Sequence, residues 1–203
     1  MANTTNANWA AHDYADGRFK NLDQRIVHAL ESRAAFRYLD QLVGPGGSVL
    51  DMPAGCGRFT EPLLQRGLAV TAVDPKQDRL DYLASTASGK VELHCLFGEN
   101  LPFADDEFDA SFCIRLFQHI RDREQRVAIL AQLGRVSRRG VVATVYMDSR
   151  MHRLIHGMRR LKRLARYNRA SLEEEFAAGG LQIQSISRPI PGHAQTVVQA
   201  IPL

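Results

Sequence analysis

Cysteine is scarce in this chain. Three occur in 203 residues, Cys56, Cys95 and Cys113, isolated from one another and odd in number. That excludes a disulfide framework, and without a C-x-x-C spacing no metal-ligand set is offered. Reduced thiols in a cytoplasm are the simplest expectation. Long apolar runs are also absent: none approaches the ~18 residues that span a bilayer. The N-terminus, Met1 to Asn8, has neither the basic patch nor the apolar stretch of a signal peptide. Residues 1–21 are expected to form a mobile tail or lid ahead of the first helix. There is no internal repeat and no low-complexity block. The length and the ordinary apolar and charged fractions fit one domain, here residues 22–203.

Helical and strand patterns alternate along that domain. A helix is predicted over 22–42, with Ile26, Leu30, Ala34, Leu39 and Leu42 near one face. Gly44-Pro-Gly-Gly47 ends it. Strands are predicted near 48–52, 69–74, 91–95, 108–114 and 140–146. A helix over 121–137 has Val127, Leu130, Leu133 and Val136 spaced for burial. A last strand pair, 182–187 and 196–201, is separated by Pro189, Pro191 and Gly192 and reads as a hairpin. The alternation implies an α/β fold, a doubly wound, mostly parallel sheet of seven strands with helices on both faces.

The first strand runs from Val49 to Asp51 into a glycine turn, Gly55 and Gly57, and then into a helix from about Thr60. The second strand ends in Asp74. A carboxylate about 20 residues after a glycine-rich strand-to-helix turn has the spacing of a ribose ligand. A dinucleotide motif would place a third glycine where Thr60 stands, and it would seat a pyrophosphate on bare backbone. Asp51 at the strand end repels a pyrophosphate and suits an ammonium group. On charge, the loop fits S-adenosylmethionine better than a dinucleotide.

Four ordered segments then resemble the class I S-adenosylmethionine-dependent methyltransferases over roughly residues 45–200. They are the acidic-x-x-x-G-x-G loop at Asp51 to Gly57, Val73-Asp-Pro75, the stretch Gly98 to Asp109, and Phe117-Gln-His-Ile120 at the start of the next helix, followed by Leu133-Gly-Arg-Val136 before Gly140. The loop departs from the pattern through Pro53 and Cys56. The resemblance implies S-adenosylmethionine as cofactor, S-adenosylhomocysteine as product, and a closing antiparallel hairpin. It also assigns residues. Asp51 would hold the methionine ammonium, with Pro53, Ala54, Gly55 and Gly57 letting the backbone approach. Asp74 would accept the ribose hydroxyls, Pro75 and Lys76 would flank the adenine, and Glu99 and Asn100 would lie near its amino group. Ile114 and Arg115 would sit beside the reacting methyl. His119 is the candidate general base for a hydroxyl acceptor, and Tyr14 a candidate lid residue. No N/D-P-P-Y, no Pro-Cys nucleophile and no Asp-Asn pair beside Asp148 is present, so base amino groups, cytosine C5 and metal-dependent catechol chemistry are disfavoured and no metal is expected.

The stretch Arg150 to Arg169 holds eight Lys or Arg residues and no acid. The whole chain is +4, so the rest is net acidic and the basic character is local. Met151, Leu154, Ile155, Met158, Leu161 and Leu164 recur at helical spacing, which predicts a basic amphipathic insert at about 149–170. Ser171 and Glu174 after it resemble a capping box. The insert is read as a solvated helix, as a substrate lid using Arg150, His152, Arg153, His156 and Arg159 against an anionic small-molecule, lipid or sugar acceptor or an anionic membrane surface, or as a nucleic-acid contact. No aromatic interleaving favours the last. A cytoplasmic methyltransferase, peripheral at a membrane through the basic helix, is the expectation. RNA-directed methylation or a non-catalytic cofactor-binding partner subunit are the alternatives.

Overall fold

The computed structural model describes residues 22–148, 164–190 and 193–203. Tyr14 and, from the basic insert, Arg150, His152, Arg153, His156 and Arg159 lie outside the described residues. The elements in chain order are α1 (Leu22–Leu42), β1 (Ser48–Asp51), α2 (Thr60–Gln65), β2 (Ala69–Val73), α3 (Gln77–Thr86), β3 (Val91–His94), β4 (Phe108–Cys113), a 3-10 turn (Phe117–His119), α4 (Arg123–Arg135), β5 (Ser137–Tyr146), α5 (Arg169–Ala178), β6 (Leu181–Ser187) and β7 (Gln195–Pro202).

The seven strands form one sheet in the order β3-β2-β1-β4-β5-β7-β6. β1 to β5 pair in parallel, and β7 runs antiparallel between β5 and β6. This is the expected doubly wound sheet with its closing hairpin. The strand order reverses between β1 and β4. Their carboxyl ends therefore open a crevice where such sheets bind ligands. Central strands are apolar on both faces, as a sheet covered by helices on both sides requires. Leu50 joins Leu130, Leu133, Val141 and Phe176 on one side. Val49 joins Ala35, Leu39, Phe112, Val142 and Val197 under α1 on the other.

Three local expectations are corrected. On α1, Ala34, Leu39 and Leu42 are buried, but Ile26 is 50% and Leu30 37% exposed. The first turns of α1 stand above the strand ends, where Glu31 meets arginines of two loops instead of apolar sheet. The helix after β4 begins at Arg123, because the Asp122 side chain accepts from the Glu124 N–H at 2.9 Å and caps it there. Phe117–His119 is a separate 3-10 turn, and Val127 is half-buried while Ile129 is buried. The capping box lies three residues earlier than Ser171–Glu174. Asn168 is the N-cap, the Ser171 N–H donates to its Oδ1 at 2.8 Å, and its own N–H donates to the Ser171 hydroxyl at 3.1 Å.

Of the predicted amphipathic insert, Met151 to Leu161 lie outside the described residues, and Leu164 is not helical. Residues 164–168 precede α5 without helix, and Tyr167 bridges Met147 in parallel. The Ala165 N–H donates to the Gln118 carbonyl at 2.9 Å, the Tyr167 N–H to the Tyr146 carbonyl at 2.9 Å and the Asp148 N–H to the Tyr167 carbonyl at 2.7 Å. The chain thus leaves the sheet after β5 and returns to the same strand end. A buried ion pair fixes that return. Arg126 donates through Nε and Nη2 to the two oxygens of Glu175, both at 2.7 Å, and the Tyr167 hydroxyl donates to Glu175 Oε1 at 2.5 Å. Replacing Glu175 by Ala leaves the Arg126 guanidinium buried and uncompensated. We expect a loss of about 3–5 kcal/mol in urea unfolding, the cost of breaking one half of a buried pair. Wild-type stability in Glu175→Ala would show the pair to be dispensable.

Candidate active site

The site is built on the ends of β1, β2 and β4. Asp51, the last residue of β1, is 1% exposed, and the Thr60 hydroxyl donates to its Oδ2 at 2.6 Å. The position that would be a third glycine in a dinucleotide loop thus carries a hydroxyl bound to this carboxylate. Burial pushes the Asp51 pKa up to about 7; the Thr60 bond opposes the rise and neighbouring Asp74 adds to it.

The turn after Asp51 is tied to both neighbouring strands. The Met52 N–H donates to the Phe112 carbonyl at 3.1 Å and the Ala54 N–H to the Val73 carbonyl at 2.9 Å. The Met52–Pro53 peptide is cis. Gly57 has φ +86°, so the turn needs glycine, and a Cβ there would press on the Leu83 side chain of α3. Asp74 is fully buried. Its Oδ2 accepts from the Gly55 N–H and its Oδ1 from the Lys76 N–H, each at 3.0 Å, and Arg79 Nη1 lies 3.6 Å away. Burial raises its pKa, and Arg79 and the two amides pull it back. Asp74 therefore holds the glycine turn in place, a duty the sequence reading did not assign. A carboxylate has about four lone-pair sites, which leaves acceptor capacity beyond these partners.

At the end of β4, Ile114 is buried and Arg115 has φ +63°, unusual for a side chain of this size. Its N–H donates to Thr144 Oγ1 at 2.7 Å, which locks the turn to β5. Its guanidinium reaches back to α1, with Nε 2.9 Å and Nη2 2.7 Å from Glu31 Oε2. Arg58, on the glycine loop, meets the same Glu31 oxygen at 3.3 Å and contacts His28. Glu31 is fully buried. Burial, with Arg58 and Arg115 adding, lowers the His28 pKa to about 4, so near neutral pH the ring is uncharged. One carboxylate thus holds two guanidiniums.

Sequence reasoning missed Glu31, Arg58, His28 and Thr60. A signal existed for Glu31: it is the lone acid on the line that continues through Ala34, Ala35, Tyr38 and Leu39, the buried face of α1. The structure joins Asp51, Gly55, Gly57 and Asp74 directly. Pro53, Ala54, Pro75 and Lys76 follow in the same two loops, with Pro75 exposed at the rim. Gly98 packs against Met52, which brings the Glu99–Asn100 loop beside the glycine turn; Asn100 is exposed, and Glu99 accepts from Gln125. His119 is exposed at the end of the 3-10 turn. Burial raises the thiol pKa of Cys56 and Cys113, so neither is a poised thiolate. Among the described residues no three His, Cys, Asp or Glu side chains are grouped to hold a metal ion.

Known proteins share part of this sequence and the fold. Residues 49–140 match the family model for a methyltransferase domain. The demethylmenaquinone methyltransferase of Corynebacterium urealyticum is 35% identical over 98 residues, which cover 48% of this chain and 40% of that protein. The ubiquinone biosynthesis O-methyltransferase of Rhizobium johnstonii is 27% identical over 154 residues, 68% of this chain and 61% of its own. The chain therefore spans less than two thirds of either relative. The crystal structure of magnesium protoporphyrin IX methyltransferase from Synechocystis PCC 6803, with bound SAH, superposes with a TM-score of 0.73 at 17% identity, covering 95% of this chain and 91% of that one.

The Asp51 carboxyl should titrate by carbon-13 NMR with a midpoint near 7 in the free protein. Thr60→Val removes the bond that favours its ionised form and should move the midpoint higher. A midpoint near 4, or no response to the valine, would contradict the burial argument.

Proposed function

We propose that this chain, which carries the methyltransferase domain of the class I S-adenosylmethionine-dependent fold, transfers a methyl group from S-adenosylmethionine to a small-molecule acceptor. The observation that carries the reading is the pair of buried carboxylates at the glycine turn. Asp51 and Asp74 repel a pyrophosphate, and Asp51 suits an ammonium. The residues present fit the cofactor: Asp51 for the ammonium, Gly55 and Gly57 for close backbone approach, Asp74 with spare acceptor capacity for the ribose. Pro75, Lys76, Glu99 and Asn100 surround the region proposed for the adenine, and Ile114 and Arg115 border the reacting end.

When bound, the cofactor supplies a methyl group on a sulfonium, already a strong electrophile. The chain's own work is then to hold the acceptor in line and keep water out, a gain of proximity and orientation. His119, at the rim beyond β4, is the proposed base for a hydroxyl acceptor. We also propose that the basic segment contacts an anionic part of the acceptor. Support comes from its anchoring, since it leaves from Asp148 and returns at Leu164 beside the end of β5. Contact with an anionic membrane surface and a cytoplasmic location belong to the same proposal. Among the described residues no helix is long and apolar enough to cross a membrane.

Calorimetry with S-adenosylmethionine tests the cofactor claim. Wild type should bind, and Asp74→Ala should weaken binding by about tenfold or more, or ~1.4 kcal/mol. Affinity should rise as the pH passes upward through about 7, where Asp51 ionises. The stability of the free protein should move the other way. The folded pKa of Asp51 lies above its ordinary value, so its contribution is present below about 4 and is lost as pH rises toward 7. Asp51→Asn should therefore raise the melting temperature at pH of about 8 while losing affinity. No binding by wild type would remove both the enzymatic reading and a non-catalytic partner role. Binding with no transfer to any small molecule would favour the partner role, and transfer to RNA the nucleic-acid reading.

A further inference from the structure

We infer that Gln118 and Gln195 are specificity-determining residues that read the reacting end of the acceptor, and that this end is uncharged, bearing a hydroxyl or amine hydrogen and an oxygen acceptor. The inference rests on the methyltransferase reading. Gln118 is 2% and Gln195 1% exposed, yet among the described residues Gln118 Oε1 and Gln195 Nε2 have no hydrogen-bond partner. Buried polar atoms are almost always satisfied, so two orphaned amide atoms near one strand end call for an explanation. In the orientation the structure gives, the unspent atoms are one amide oxygen and one amide N–H.

Both residues are anchored to the carboxyl end of β5. Gln118 lies in the 3-10 turn beyond β4, three residues past Arg115, and its carbonyl accepts from Ala165 in the strip that pairs with Tyr146 to Asp148. Gln195 opens β7 directly opposite Tyr146, and the preceding carbonyl, Ala194, accepts from the Met147 N–H at 2.7 Å. The backbones of the two residues thus attach to the same end of β5, next to the strand whose end carries Arg115. An orphaned amide oxygen repels an anion and needs a donor; an orphaned amide N–H needs an acceptor. A hydroxyl or amine with a nearby carbonyl or hydroxyl oxygen satisfies both. Any anionic part of the acceptor then falls to the cationic residues elsewhere. Sites built to hydrogen-bond a substrate discriminate strongly, because the wrong ligand leaves these same groups unpaired.

The test uses Gln118→Leu and Gln195→Leu in the full chain, with three readouts. The first is the melting temperature without ligand. Removing an orphaned buried amide should leave it unchanged or raise it, by about 2–4 °C per site. A fall identifies an amide already satisfied within the fold, by water or by the chain, and overturns the inference. The second is affinity for S-adenosylmethionine by calorimetry, expected to match wild type; a loss places the residue in the cofactor site and overturns the assignment. The third is transfer of labelled methyl from S-adenosylmethionine into the small-molecule fraction of a cell extract. Each variant should lose about 100-fold or more of the wild-type rate, and transfer at the wild-type rate overturns the inference. A wild type that binds cofactor but labels nothing counts against the proposed function itself, and the thermal readout then decides whether the amides are orphans.

Discussion

Two carboxylates, Asp51 and Asp74, are buried side by side at the carboxyl end of the sheet, and most of the site is arranged around the cost of keeping them there. Neither is exposed to solvent. Thr60 and the amides of Gly55 and Lys76 supply hydrogen bonds in its place, and Arg79 the nearest counter-charge. Those bonds fix where the glycine turn passes and where α2 begins. The same pair sets the sign of the ligand that can enter: a cationic group relieves the crowding, and a phosphate worsens it.

Another buried carboxylate, Glu31, works in the opposite sense. It draws Arg58 from the glycine loop and Arg115 from the end of β4 onto α1. Glu31 thereby ties the glycine loop and the end of β4 to the same turn of α1. It also explains why Arg115 accepts a left-handed backbone, with its N–H held by Thr144 and its side chain by Glu31.

Much of the fold was legible because the strands are short apolar runs rich in Val, Leu and Ala, bounded by glycine or acid. The seven strands and the closing hairpin follow from that pattern. The buried face of α1 was not legible. Ile26 and Leu30 are apolar, but their turns lie beyond the sheet, where Glu31 is what gets buried. The start of α5 was misplaced because Asn168 and Ser171 cap reciprocally, while the sequence shows an equally plausible serine and glutamate three residues later. In the site, Asp51, Gly55 and Gly57 are close in sequence and Asp74 follows at a recognisable spacing. Glu31, Arg58 and Arg115 converge from three separate segments, which no spacing rule records. Gln118 and Gln195 are plain polar residues in a sequence; only burial makes them conspicuous.

The bridge between Met147 and Tyr167 pins the two ends of the basic segment side by side, and the Arg126–Glu175–Tyr167 cluster clamps the returning end from beneath. The bonds between Met147–Asp148 and Tyr167 thus hold two points of the chain at a set separation. The entropy of joining two such points grows only with the logarithm of the connecting length, about 0.6 kcal/mol for each doubling, so the closure itself sets almost no limit on that length.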